Sequence, residues 1–299
     1  MVSIIGFTGF VGQNLKSYLN LYKIGSQGIS RKALNESVFC ISDNANAVIH
    51  LAGKAHDIKK SSNSNEYYQV NTELTKKVFN AFLSSDAKVF ITLSSVKAVA
   101  DVVHGELTEE TAPNPITHYG KSKLLAEQYI FAQQLPEEKR VYVLRPCMIH
   151  GSGNKGNLNL LYKLVSKGIP WPLGAFENHR SFCSIDNLMF IFKELIERED
   201  IPSGVYNVAD DIPISTNEVI SILAESQNRK HRIWHIPKSL IELGAKIGNV
   251  LKLPLNEERL QKLTDSYVVS NKKIMTAIGK PLPVSSREGL LKTFHSFQK

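Results

Sequence analysis

Residues 2–12 read VSIIGFTGFVG, three glycines at three-residue intervals directly behind a short apolar run. Few patterns constrain a fold more. The apolar, β-branched run reads as a buried strand and the amphipathic residues that follow read as a helix, so the glycines fall in the turn between them. A turn stripped of side chains lets main chain approach a bulky anion, and the helix start offers unpaired N–H groups and the positive end of a dipole. Gly6, Gly9, Phe10, Val11 and Gly12 are therefore candidates to hold a pyrophosphate. The chain then keeps alternating. GIS, AVIHLAG, KVFITLSS and VYVLRP read as strands, and the segments around residues 71–83 and after Tyr119 read as helices. This alternation predicts an α/β fold of Rossmann type, a doubly wound parallel sheet. The stretch between GIS and AVIHLAG is too short for a full crossover helix, which is predicted to be vestigial. Residues 1–150 are expected to form the dinucleotide-binding domain. Residues 151–299 are expected to form mainly a smaller, mostly helical substrate lobe, with some segments returning to the sheet.

The balance of charge narrows the partners. Lys and Arg number 36 against 28 Asp and Glu, and this excess suits an anionic ligand. The one tight basic cluster, Arg229-Lys230-His231-Arg232, lacks the interleaved aromatic residues of a nucleic-acid platform, so no nucleic-acid partner is expected. Cys40, Cys147 and Cys183 are scattered without ligand spacing, which predicts no metal site and a reducing compartment. The first residues form neither a leader nor a long apolar span, so a cytoplasmic location with no membrane span is expected.

Two further constellations carry chemistry. At the end of the second strand a nicotinamide site normally places a carboxylate for the ribose hydroxyls, and here the chain reads Ile29-Ser30-Arg31-Lys32. Ser30 and Arg31 would suit a 2′-phosphate, favouring NADP over NAD; the alternative is a solvated basic turn. In THYGKSK, Tyr119 and Lys123 lie four residues apart and so share one helical face. A phenol with an ordinary pKa near ~10 becomes a usable proton carrier when a cation pulls that value down. Ser95, ending the apolar strand FITLSS, would stand at the same sheet edge and hydrogen-bond the same substrate oxygen.

GFTGFVG, AVIHLAG, LSSV, HYGKSK, VLRPCMIHGSG and HRSFCSIDN together resemble the extended short-chain dehydrogenase/reductase family, in its NAD-dependent epimerase/dehydratase branch acting on nucleotide sugars. The resemblance implies a catalytic Ser95, Tyr119 and Lys123, with Leu51, Ala52 and Gly53 lining the cofactor and Lys123 also holding its ribose. On the substrate side it implies that N–H groups of Gly156, Asn157 and Leu158 and the guanidinium of Arg180 take the diphosphate. Trp171, Pro172 and Leu173 fall where relatives pack the base, or else form a buried turn. Lys54 and His56 border the cofactor strand, and the remaining histidines read as packing or surface residues. The 4,6-dehydratases of the family carry Asp-Glu after the catalytic hydroxyl; Val96-Lys97 stands here and disfavours dehydration. The implied activity is NAD(P)-dependent hydride transfer at C4 of a UDP- or dTDP-linked hexose, leaning to reduction of a 4-keto sugar. The alternatives are a 4-epimerase and, less favoured, a non-catalytic dinucleotide-binding sensor. A homodimer is compatible with this assignment.

Overall fold

The computed structural model describes residues 1–36, 39–54, 64–154, 156–230, 232–251 and 256–298. The apolar runs become strands and the amphipathic runs helices. The first half holds β1 (Val2–Ile5), α1 (Phe10–Leu21), β2 (Ser26–Ile29), α2 (Arg31–Leu34), β3 (Ala47–His50), α3 (Ser64–Tyr67), a π-helical stretch (Tyr68–Glu73), α4 (Leu74–Leu83), β4 (Val89–Leu93), a 3₁₀ turn (Val96–Ala98), β5 (Glu106–Leu107), α5 (His118–Phe131) and β6 (Arg140–Pro146). The second half holds β7 (Met148–His150), α6 (Asn157–Ser166), β8 (Phe182–Ser184), α7 (Ile185–Glu197), β9 (Gly204–Val208), α8 (Thr216–Ser226), α9 (Lys238–Leu251), α10 (Glu257–Thr264), β10 (Val268–Val269), α11 (Lys272–Ile278) and α12 (Ser286–Ser296).

Six parallel strands form the central sheet in the order β2-β1-β3-β4-β6-β9. The chain leaves β1 for β2 on one side and then crosses to β3 on the other, so the strand order reverses at β1. Such a reversal opens a crevice beyond the strand ends. The vestigial crossover is α2, a single turn.

Successive residues of each strand face opposite layers. Ile4, Ile49 and Ile91 pack with Leu15 and Leu19 of α1 and Leu188 and Leu195 of α7. Ile5, Val48 and Phe90 pack on the other side with Val78, Phe79 and Phe82 of α4. A third apolar cluster joins Leu158 of α6, Leu223 of α8, Ile241 of α9, Leu260 of α10 and Phe294 of α12 into the smaller lobe. Between these helices α7 packs back on the sheet and β9 extends it.

Candidate active site

The parallel registers bring the strand ends to one level. Ile5 pairs with Ile29 and with His50, and His50 pairs with Thr92, so Gly6, Ser30 and Leu51 leave the sheet side by side. Gly6 has φ +85°, and a Cβ there would stand 2.6 Å from the Ala52 nitrogen. Only glycine allows that turn to lie against the residues following β3. Helix α1 begins at Gly9 without any side-chain cap, which leaves its first N–H groups for a ligand. At the neighbouring strand end, the Ser30 hydroxyl accepts the Ala33 N–H at 3.2 Å and caps α2, while Arg31 stands exposed.

Beyond β4, Ser95 caps the 3₁₀ turn by accepting the Lys97 N–H at 3.2 Å. The start of α5 is pinned to the same loop. The Asp101 carboxylate accepts the N–H groups of Ile116 at 2.7 Å and Thr117 at 3.1 Å. Thr117 in turn caps the helix through the Gly120 N–H. A Cβ on Gly120 would stand 2.3 Å from the Lys97 carbonyl oxygen, so glycine lets the helix press on the turn behind Ser95. The result sets the Tyr119 phenol beside the Ser95 side chain, which acts to lower the phenol pKa. One turn further on, Lys123 donates to the Leu93 carbonyl at 2.8 Å, with its Nζ 3.0 Å from where a Cβ on Gly53 would lie.

The electrostatics differ from the expectation for an exposed pair. Burial raises the Tyr119 pKa above the phenol value, the neighbouring Ser95 side chain opposes this, and nearby Tyr67 adds to the rise. Lys123 is not among the groups that shift Tyr119, and its own burial lowers its pKa to about 8, opposed by Glu127. The pair is therefore a neutral phenol beside an ammonium that loses its proton readily. His50, at the end of β3, is held neutral by burial and by Lys123, with a pKa of about 3.

Three supporting residues escaped the sequence reading. Asn71, in the π-helical stretch, accepts the Lys54 N–H at 2.8 Å and donates to the Ser122 hydroxyl at 3.0 Å, tying the loop after Gly53 to α5. Glu127, one turn past Lys123, is buried against Arg145 of β6, whose Nε reaches its two oxygens at 3.0 and 3.1 Å. The four-residue spacing of 119, 123 and 127 was a usable signal for Glu127. No local pattern announced Asn71 or the choice of Arg145.

The substrate-side candidates all lie in the lobe. Helix α6 starts at Asn157 behind Gly156 with no side-chain cap, and the Leu158 side chain is buried in the lobe core. Trp171 and Leu173 are each 3% exposed, and the indole N–H is bonded to the Asn217 side chain at 3.0 Å. These two side chains therefore build the lobe, and Pro172 is the half-buried residue between them. Arg180 pairs its main chain with Ile214 and Tyr267 and donates to the Lys262 carbonyl. Lys97 donates to the Asp101 carbonyl at 2.8 Å and lies over the Tyr267 ring, while Val96 is buried. Lys54 is paired with Glu66, and His56 lies outside the described residues. His150 is buried and bonded to Thr293, His118 bonds the Tyr68 hydroxyl, and no cluster of metal-ligating side chains occurs among the described residues.

Residues 2–209 match the NAD dependent epimerase/dehydratase family. The UDP-glucose 4-epimerase of Vibrio cholerae is 29% identical, the alignment covering 99% of this chain and 95% of that protein. An N-acetyl-alpha-D-glucosaminyl-diphospho-ditrans,octacis-undecaprenol 4-epimerase from Escherichia coli O157:H7 is 26% identical over 98% of this chain and 93% of its own. The structure of MoeE5 in complex with UDP-glucuronic acid and NAD superposes with a TM-score of 0.75 over 99% of this chain and 98% of that one, at 19% identity, a likeness of fold. With the glycine turn, Ser95, Tyr119 and Lys123 assembled on such a sheet, the chain belongs to the NAD dependent epimerase/dehydratase family.

Proposed function

We propose that this protein is a 4-epimerase that inverts C4 of a hexose carried on a diphosphate, using NAD(P). The observation that carries the reading is the juxtaposition of Ser95 and Tyr119 at the sheet edge, with Lys123 one turn further along α5 and held by the Leu93 carbonyl. Ser95 orients the C4 oxygen, and Tyr119 acts as the phenolate: its own proton leaves to solvent before turnover, and the C4 hydroxyl proton is then taken up and returned there, with the Lys123 ammonium one turn away stabilising the anion. A bound nicotinamide supplies reversible uptake of the C4 hydrogen as hydride. Gly6, Gly9, Phe10, Val11 and Gly12 would cradle its pyrophosphate; Leu51, Ala52 and Gly53 would border it; Tyr119 and Lys123 would face its ribose. Asn157 and Leu158, through main-chain N–H groups, and Arg180 would hold the substrate diphosphate. The sequence beside Ser95, Val96-Lys97, offers no carboxylate pair for elimination. Two relatives aligned over nearly the whole chain are 4-epimerases, and this weighs for inversion over simple ketone reduction.

The 4-keto reductase remains a second reading, favoured by the exposed Arg31 next to Ser30 at the end of β2. The test is direct. An epimerase releases NAD on denaturation and interconverts UDP-glucose with UDP-galactose, or their N-acetylamino counterparts, with no added cofactor. A reductase instead consumes NADPH one for one with a 4-keto nucleotide sugar, and Arg31→Asp then shifts preference toward NADH by roughly ten- to a hundredfold. Absence of both activities, with cofactor bound, refutes the C4 chemistry and favours a sensor. We include a homodimer in the reading, supported by Leu125 and Phe131 standing exposed on α5; sedimentation at several concentrations decides it.

A further inference from the structure

Helix α9 carries two apolar stripes where a lobe helix needs one. Ile241 and Ala245, one turn apart, are buried in the lobe core. Leu240, Leu243 and Ile247 follow the i, i+3, i+7 spacing of a second face, and they are 59%, 55% and 47% exposed. Trp234, just before the helix, is 55% exposed. The segment that enters and forms this helix is basic: between residues 228 and 249 stand Arg229, Lys230, Arg232, Lys238 and Lys246 against the single acid Glu242. Of these, Arg229 donates to the Ser166 carbonyl and Lys238 lies over the Phe176 ring, which leaves Lys230, Arg232 and Lys246 as the cations for a partner. At the far end of the helix Asn249 bonds Glu257 of α10.

We infer that this face of α9 docks on an anionic lipid bilayer. An exposed leucine and isoleucine stripe beside an interfacial tryptophan and a cluster of lysine and arginine matches the apolar boundary and negative surface of a membrane. Among the described residues no helix is long and apolar enough to cross a membrane, so the contact lies in the plane of the surface. The main chain links this face to the proposed substrate lobe. The Trp171 N–H donates to the Arg232 carbonyl at 2.8 Å, and the N–H groups of Trp234 and Gly174 donate to Trp171 and Trp234 carbonyls at 2.8 and 3.0 Å. The turn between α6 and Arg180 is thereby fixed to the segment entering α9. A diphosphate-linked sugar whose carrier is a membrane lipid would reach the site from this side. That last step rests on the function proposed above; the docking itself does not.

The experiment is co-sedimentation of the full chain with vesicles of equal parts phosphatidylglycerol and phosphatidylethanolamine, and with phosphatidylcholine vesicles as the neutral control. Binding to the anionic vesicles is expected to exceed the control by about tenfold or more and to weaken with added salt. Leu243→Glu combined with Ile247→Glu, both at exposed positions, is expected to weaken it by about tenfold or more with an unchanged melting temperature. Lys230→Gln with Arg232→Gln removes only charge and is expected to cost roughly fivefold per residue. Equal binding by wild type and both variants overturns the docking, as does absence of wild-type binding. So does concentration-dependent self-association of the wild type that the glutamate variant abolishes, since a second copy then covers the face. Epimerisation of a soluble nucleotide sugar by the glutamate variant is measured alongside. Full activity without vesicle binding in the wild type defeats the docking alone, and vesicle binding without C4 chemistry defeats the proposed function alone.

Discussion

Replacing Lys123 with methionine is expected to make the protein inactive and more stable. Lys123 is 9% exposed, and burial brings its pKa from 10.5 to about 8. That difference, about 2.5 units, corresponds to roughly 3 kcal/mol of penalty for burying the charged form. Methionine keeps the aliphatic length and removes the charge, but it leaves the Leu93 carbonyl without the 2.8 Å bond from Nζ, a loss of about 1–2 kcal/mol. Glu127 retains Arg145 and is not left as a lone buried charge. The net gain is about 1–2 kcal/mol at neutral pH, or roughly 2–8 °C in melting temperature for a chain of this size. The sign with pH follows from proton counting. Below pH 8 the lysine is protonated both folded and unfolded, and the full penalty applies. Between about pH 8 and 10.5 the unfolded chain binds more protons than the folded one, so wild-type stability from this group rises with pH. The advantage of Lys123→Met is therefore largest below pH 8 and shrinks above it. Thermal unfolding of both proteins in matched buffers from pH 7 to 10 measures the difference, and other titrating groups cancel in the comparison. A variant less stable than wild type at pH 7, or an advantage that does not shrink toward pH 10, refutes the burial argument.

The remaining predictions probe the other walls of the site. Tyr119→Phe removes the proton carrier and is expected to lower kcat by roughly a hundredfold or more with cofactor affinity within about twofold, as read by steady-state rates and cofactor titration. Gly120→Ala drives a Cβ to 2.3 Å from the Lys97 carbonyl and 2.8 Å from the Pro115 Cβ. It should destabilise by about 1–3 kcal/mol in denaturant unfolding and reduce kcat further by misplacing Tyr119 against Ser95. Arg180→Ala should weaken uridine diphosphate binding by about ten- to a hundredfold in calorimetry and leave cofactor binding unchanged; unaltered affinity assigns Arg180 a purely structural role through Lys262 and Tyr267.

How much of this was legible in the sequence depended on how local each cause is. The glycine turn, the alternation of runs and the Tyr119–Lys123 spacing are properties of ten or fewer adjacent residues, and the fold keeps them. Strand β2 and the one-turn α2 were readable for the same reason, since the linker before AVIHLAG leaves no room for more. The direction of the Tyr119 shift was not readable. It depends on burial and on the nearby Tyr67 ring, which only packing supplies. Trp171 could be placed on a base or in the core from sequence alone, and the partner that decides is Asn217, 46 residues away. Helix α9 shows the same limit in another form. Its apolar positions are as periodic as those of a buried helix, and only the lobe's contacts reveal which stripe is left outside.

The site also shows why its residues sit where local rules fail. Parallel strands in register end together, so β1, β3 and β4 deliver Gly6, Gly53 and Ser95 to one crevice edge. Helix α5 can reach that edge only by burying its polar stripe, Tyr119, Lys123 and Glu127, against the sheet. A helix with so little segregation of polar from apolar residues would not dock on its own apolar face. It docks because Asp101 holds its first turn, Gly120 removes the obstructing side chain, and Asn71 and Arg145 meet its polar groups from α3–α4 and β6. The cost of burying Lys123 is offset elsewhere, by the apolar layers that α1, α4 and α7 close over both sheet faces. A reversible proton site thus rests on a destabilised lysine, which is why the same substitution is expected to remove activity and raise the melting temperature.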